Sequence, residues 1–395
     1  MSTFSRRTFL KGISAAACLS LTRSAVATTQ PTTAGATAKR PAAKRLVIFK
    51  LPGGIDTIWT ADPRRRNEVD ADIDIPYAAA DIVSAGNLQL GPHLAPLAKF
   101  ADQTIIMKGI GTRSVQHPYG ERVINAMKTN VAFRASLLRR PHFVSVVAQA
   151  AGHGRYLDAG YFSPQFLQML SDKTAQGRLH DSLRASVKTI SNPVAASKFN
   201  DALLLLERIV AAPPLQGLTP ELQWSPLFDA TAWALEHDVA RCISVDVRDG
   251  ENPFPWDTHS NNNARQSKQS AIMVPLLAAF LQKLKDRNLL DDTLVMVVSE
   301  LGRFPVLNDG LGKDHFPEVP ILFFGGGLSF ARGGVAFGQT DRRMNALPIS
   351  YSTGKPTGDR LATIDDVATT ILHAFGEATP TVYGYVGRPL EFLLS

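Results

Sequence analysis

The sequence predicts an α/β fold: a mostly parallel central sheet with helices on both faces and a mostly helical insertion at about 130–240. Five short runs rich in Val, Ile, Leu and Phe recur along the chain, each bounded by Gly, Pro or polar residues. Between them lie longer stretches with apolar residues at helical spacing, and strands that alternate with helices build a parallel sheet covered on both sides. Acids, hydroxyls and imidazoles fall beside those strands, where open α/β sheets collect functional groups.

The first strand spans 45–51 and stops at Pro52-Gly53-Gly54. Residues 92–100 read as a helix with Leu94, Leu97 and Ala98 on one face, and 104–107 as the second strand, closing at Gly109-Ile110-Gly111. Pro118 suits a first helical position, so a helix follows over 118–128. Helical periodicity dominates 143–237. The third strand is 242–247, a long amphipathic helix covers 264–287, and the fourth and fifth strands are 293–299 and 320–324. A late helix occupies 364–375. Gly325-Gly326-Gly327, which lacks the Lys-Ser/Thr of a nucleotide loop, and Gly333-Gly334 both read as tight turns.

The N-terminus reads as an address. Ser5-Arg6-Arg7-Thr8-Phe9-Leu10-Lys11 fills a twin-arginine consensus, a short apolar run follows over 12–21, and Ala25-Val26-Ala27 offers a small-residue exit. Ala15-Ala16-Ala17-Cys18 lacks the leucine three before the cysteine that a lipoprotein leader carries. Residues 1–27 are thus expected to be a signal peptide, 28–44 a flexible linker rich in Thr, Ala and Pro, and 45–395 the folded domain. The expected location is periplasmic or secreted, reached folded through the twin-arginine translocation machinery. The apolar run is shorter than the roughly 20 residues a bilayer span needs, so no stable membrane anchor is expected.

The formal charge of +7 falls to +3 once Arg6, Arg7, Lys11 and Arg23 leave with the signal. No basic patch with interleaved aromatics supports nucleic-acid binding. Cys242 alone would remain of the two cysteines, so no intrachain disulfide can form despite an oxidising compartment. A hydrophobic core must stabilise the chain, and about 370 residues can supply one.

The candidate site residues share a pattern. Asp56 follows the first strand across two glycines; Thr112, Ser114 and His117 follow the second; Asp249, Asp257 and His259 follow the third; Glu300 ends the fourth. Asp314 and His315 lie in the loop before the fifth. Carboxylates and imidazoles so placed suit a hydrolytic centre with one or two divalent ions, which polarise an ester and lower the pKa of water or an alcohol. Histidine with aspartate suits zinc, and carboxylate-rich sites admit manganese, magnesium or calcium.

Each residue also has a structural alternative. Asp56 could be a turn residue, and Asp257-Thr258-His259-Ser260 a capped helix start. Arg303 could pair with Glu300 or bind an anion, and Lys313 could attract an anionic substrate. His93, His142, His153, His180, His237 and His373 read as structural or exposed.

The chain resembles the bacterial domain-of-unknown-function family 1501, a twin-arginine-exported, sulfatase-like branch of the alkaline phosphatase-like superfamily. The stretches that carry the resemblance are Leu51-Pro-Gly-Gly-Ile-Asp56, Gly91-Pro-His-Leu-Ala-Pro-Leu97, Trp256-Asp-Thr-His259, Thr293-Leu-Val-Met-Val-Val-Ser-Glu-Leu-Gly-Arg303 and Asp314-His315-Phe316. It extends over the chain from Arg45 on. It implies an alkaline phosphatase-like sandwich, with Asp56 and Glu300 as ligands of one metal and Asp257, His259 and His315 around another, Asp314 lying beside them. It also implies a phosphate- or sulfate-ester substrate, a small molecule or a glycan, and a hydroxyl nucleophile near the start of the 118–128 helix.

The sequence departs from that pattern in three places. Thr57 and Trp59 stand where relatives carry a small and an amide residue, Gln116 where they carry the serine ahead of the histidine, and Glu300-Leu301 where many superfamily members have Asp-His. Ser114, or Thr112, is then the nearest hydroxyl; otherwise water held by His117 or Glu300 attacks directly. The alternative is a periplasmic binding or assembly protein that retains the phosphatase-like scaffold without turnover.

Overall fold

The computed structural model describes residues 43–129, 142–152, 156–159, 164–217, 224–248, 252–328, 334–358 and 360–394. Nearly all of the expected signal and linker, and Asp249, lie outside these residues. Among the described residues no helix is long and apolar enough to cross a membrane.

A seven-stranded sheet forms the centre. Its strands are β1 (Arg45–Lys50), β4 (Thr104–Gly111), β5 (Tyr156–Ala159), β6 (Cys242–Asp246), β7 (Thr293–Val298), β10 (Glu318–Gly325) and β11 (Val335–Phe337), ordered β11-β4-β10-β7-β1-β6-β5. A two-stranded ribbon of β2 (Val83–Ala85) and β3 (Leu88–Leu90) lies apart, as does one of β8 (Gly302–Arg303) and β9 (His315–Phe316). The fold class read from the sequence is the fold observed, a mixed, mostly parallel sheet with helices around it. β1 pairs in parallel with β6 and β7, β5 with β6, and β11 with β4. β10 alone runs antiparallel to its neighbours β4 and β7.

That reversal matters for the site. The start of an antiparallel strand lies at the edge where its parallel neighbours end. Asp314 and His315, which precede β10, therefore meet the residues that follow β1, β4, β6 and β7.

The central strands are buried on both faces, as their unbroken apolar runs require. One core layer packs Val47, Phe49, Val245, Val295 and Val297 against Leu277, Phe280 and Leu281 of α7 (Asn262–Asp286). The other packs Leu46, Ile48, Met296 and Phe323 against helices that include α8 (Ile364–Ala374). The predicted helix at 92–100 is a 3-10 helix, Pro92–Gln103, which carries Pro96 inside it.

Helix α1 (His117–Ala126) begins one residue before the predicted proline start, with Gln116 as its N-cap. The stretch predicted as helical contains α2 (Phe143–Ala150), α3 (Pro164–Ser171), α4 (Lys173–Val187), α5 (Pro193–Ala211) and α6 (Ser225–Glu236). It also contributes β5, which extends the sheet beside β6.

Candidate metal centre

Five segments at one sheet edge build the centre. β1 ends at a turn in which Gly53 has φ of 115°, and a Cβ on it would stand 2.2 Å from the Asp257 amide nitrogen. Glycine is needed there for both backbone and space. The Trp256 N–H donates to the Pro52 carbonyl at 3.1 Å, drawing the 252–259 loop onto the end of β1. The Ser299 hydroxyl donates to Leu51 O and accepts from Ile55 N, which ties β1 to the segment that carries Glu300. The β8–β9 pairing sets Arg303 opposite His315.

The convergence point is Asp257 Oδ1. Arg303 Nη2 donates to it at 2.7 Å, and three imidazole nitrogens surround it: His117 Nε2 at 3.4 Å, His259 Nε2 at 3.3 Å and His315 Nε2 at 3.4 Å. His117, Asp257 and His315 present one donor atom each, all within 4.8 Å of one another. His259 flanks this trio, its Nε2 2.9 Å from His315 Nε2, and its side chain is 47% exposed.

The far nitrogen of every ring is spent on an acceptor. His117 Nδ1 faces Glu300 Oε1 at 2.7 Å, His259 Nδ1 faces Asp314 Oδ1 at 3.1 Å, and His315 Nδ1 faces the Val115 carbonyl at 2.7 Å. A neutral imidazole whose Nδ1–H is donated in this way offers only a lone pair at Nε2. If the rings are neutral, three lone pairs gather about a carboxylate oxygen that already takes the Arg303 guanidinium, and further positive charge, as protons on the rings or a metal ion, balances them. The donor set fits a divalent cation, and the arrangement of carboxylate or carbonyl behind each imidazole is the one metal-binding histidines use.

Without an ion, a proton supplies part of that charge. Burial works against protonating His117, but the Asp257 and Glu300 carboxylates outweigh it and push its pKa up to about 9. Asp257 is held well below the usual carboxylate range. Burial opposes this, but hydrogen bonds from His117 and His315 and the charge of Arg303 prevail. Asp314 is lowered by its contacts with His259 and Asn308.

Other expected residues are engaged in ion pairs and hydrogen bonds. Asp56 and Glu300 meet different partners: Asp56 Oδ2 receives Lys313 Nζ at 2.8 Å and Asn262 Nδ2 at 2.8 Å, whereas Glu300 Oε1 accepts from His117 and from the Gly53 N–H. Arg303 and Lys313, read as anion-facing, have fully buried side chains paired with Asp257 and Asp56. Arg303 also donates to the Lys313 and Gly53 carbonyls.

The hydroxyls near α1 are buried and occupied. Ser114 Oγ donates to Gln116 O at 3.0 Å, and Thr112 Oγ1 donates to Pro317 O at 3.0 Å. Sequence reasoning missed the Val115 carbonyl, which no side-chain pattern signals, and Phe254, whose ring lies 4.4 Å from that of His117. It also missed Asn262 and Gln266, one turn apart on α7, which hold the Asp56 carboxylate and backbone N–H.

The family model "Protein of unknown function (DUF1501)" matches residues 231–392. Over that span the family resemblance stands. It takes in Asp257, His259, Glu300, Arg303 and His315 and leaves out Asp56 and His117. No curated protein matches the chain.

Several solved structures are similar to it. The lipoteichoic acid synthase LtaP from Listeria monocytogenes is 12% identical, with 89% of this chain and 76% of that chain covered and a TM-score of 0.37. A protein in the alkaline phosphatase superfamily from Vibrio parahaemolyticus is 12% identical over 95% and 76%, with a TM-score of 0.40. The PsFucS1 sulfatase from Pseudoalteromonas sp. is 11% identical over 89% and 72%, with a TM-score of 0.39.

Proposed function

We propose that the chain is an exported, metal-dependent hydrolase of phosphate or sulfate esters. The observation that supports this reading is the meeting of three imidazole Nε2 atoms on Asp257 Oδ1, a set of nitrogen and oxygen donors that could hold a cation. His117, Asp257 and His315 would hold one divalent ion, leaving a position open, as catalytic zinc sites do. The mixed nitrogen and oxygen set suits zinc and admits manganese; magnesium and calcium favour all-oxygen sites. A bound ion would supply Lewis acidity toward an ester oxygen and ease deprotonation of water.

The chain's own groups supply the rest. Glu300 and the Val115 carbonyl hold His117 and His315 with Nε2 turned inward. His259, half exposed and backed by Asp314, carries a proton at Nε2 between the reacting centre and solvent. Because Thr112 and Ser114 donate to backbone carbonyls, water is the attacking group.

Metal analysis of the purified chain and a screen of small-molecule and glycan phosphate and sulfate esters test this. His315→Ala is expected to lose the ion and the activity together. His259→Ala is expected to keep the ion and lose about 10²–10⁴-fold in rate. A metal-free chain whose activity is indifferent to His259→Ala would sink the proposal.

The buried, paired state of Arg303 and Lys313 favours a second reading, a periplasmic metal-binding or assembly protein without turnover. Bound metal with no ester hydrolysis would decide for it. Export through the twin-arginine machinery is proposed from residues 5–11 and is checked by replacing Arg6 and Arg7 with lysine, which should keep the chain in the cytoplasm.

A further inference from the structure

We propose that the Lys313 ammonium is a tethered second cation, so that the chain takes one divalent ion at the imidazole group and none at Asp56. The inference rests on the metal-dependent reading above. Asp56 stands just beyond β1 at the functional edge of the sheet, and its surroundings resemble an oxygen-lined cation site. Oδ2 receives Lys313 Nζ and Asn262 Nδ2, both at 2.8 Å, and Oδ1 accepts from Ile58 N. Asp74 Oδ2 lies 3.5 Å from the same Nζ and is held by Asn263 Nδ2 at 3.0 Å. Two carboxylates thus collect on one ammonium, the kind of oxygen donors a hard cation would use.

The ammonium cannot leave easily. The Lys313 side chain is 0% exposed and that of Asp56 1%. Withdrawing Nζ would strand a buried carboxylate, which is strongly destabilising. Its backbone is clamped too: Lys313 N–H donates to Thr258 O at 3.0 Å, and Lys313 O accepts from Arg303 Nη1 at 2.9 Å. One residue therefore neutralises Asp56 with its side chain and braces Arg303, the partner of Asp257, with its carbonyl. An incoming ion at Asp56 would have to expel a cation whose side chain is fully buried.

The metal content of the full chain, purified and equilibrated with zinc or manganese, is expected to be one ion per chain. Lys313→Ala in EDTA is expected to melt roughly 5–10 °C lower. Added magnesium, calcium or manganese should restore most of that loss and bring a further ion. Asp56→Asn combined with Lys313→Met removes both charges, and should keep the single ion and gain no extra stabilisation from divalent cations.

Two ions on the wild-type chain, or a folded Lys313→Ala chain that gains none, overturns the proposal. If Lys313→Ala does not fold, the wild-type count decides. A wild-type chain with no ion whose Lys313→Ala form gains one upholds the tethered cation and sinks the hydrolase reading.

Discussion

Replacing Glu300 with glutamine separates a residue that holds metal from one that orients a ligand. The side chain keeps its shape, so Oε1 can still accept from the Gly53 N–H and from His117 Nδ1, but the negative charge is gone. The free imidazole pKa is about 6.5, and that of His117 stands at about 9 despite burial. That difference is worth about 3 kcal/mol, and Asp257 and Glu300 share in supplying it. Glu300 makes the shorter contact, 2.7 Å against 3.4 Å. Glu300→Gln is therefore expected to lower the His117 pKa by roughly 1–2 units, read by NMR titration of the metal-free chain.

Loss of a carboxylate behind a metal-binding histidine costs about 10–100-fold in affinity, or about 1.4–2.7 kcal/mol. Calorimetric titration with zinc should show a weakening in that range at one ion per chain. An unchanged affinity would refute the assigned role. Loss of all binding, with the fold intact, would return Glu300 to the list of ligands.

Gly53→Ala should displace Asp257, because the added methyl would stand 2.2 Å from its amide nitrogen; loss of bound metal with the core intact is the expected outcome, by metal analysis and circular dichroism. Phe49→Ala should destabilise the chain by about 3–5 kcal/mol in urea unfolding, since its ring lies 4.6 Å from Phe228 and 5.1 Å from Phe280 and is 1% exposed. His93, stacked on Trp59 and bonded to Ser267, has its pKa pushed down to about 4 by burial, against the opposing charge of Asp56. The unfolded chain takes up this proton near pH 6.5 and the folded chain only near 4, so proton uptake favours unfolding. Stability is retained above pH 6.5 and falls toward pH 4, by up to about 3 kcal/mol from this group. His93→Gln should flatten that part of the profile relative to wild type, and parallel profiles would refute it.

The five long strands were legible because each is buried on both faces and reads as a continuous apolar run. Strands β5 and β11 span four and three residues at the two sheet edges, too short to show a pattern. Nothing in the composition of 318–325 says which way that strand runs, yet its reversal is what brings His315 to the centre. The residue types of the centre were visible, and their pairing was not. Asp56 and Lys313 both look like functional charges until the fold sets them 2.8 Å apart across 257 positions. The sequence marks His117 as a catalytic candidate, and only the fold shows it between Asp257 and Glu300, where it could also hold an ion.

The sheet order also bears on how the chain is synthesised. Strand β4 reaches β7 only through β10, which is translated after both. Until residues 318–325 leave the ribosome, the early strand has no neighbour on that side, and both edges are open to wrong partners. Completion of the core is therefore a late event in translation, and a nascent chain cut before Glu318 should be a client for chaperones. An N-terminal export leader would be displayed long before a finished domain stands behind it. Any pathway that accepts only folded cargo must then wait for a strand encoded in the last quarter of the message.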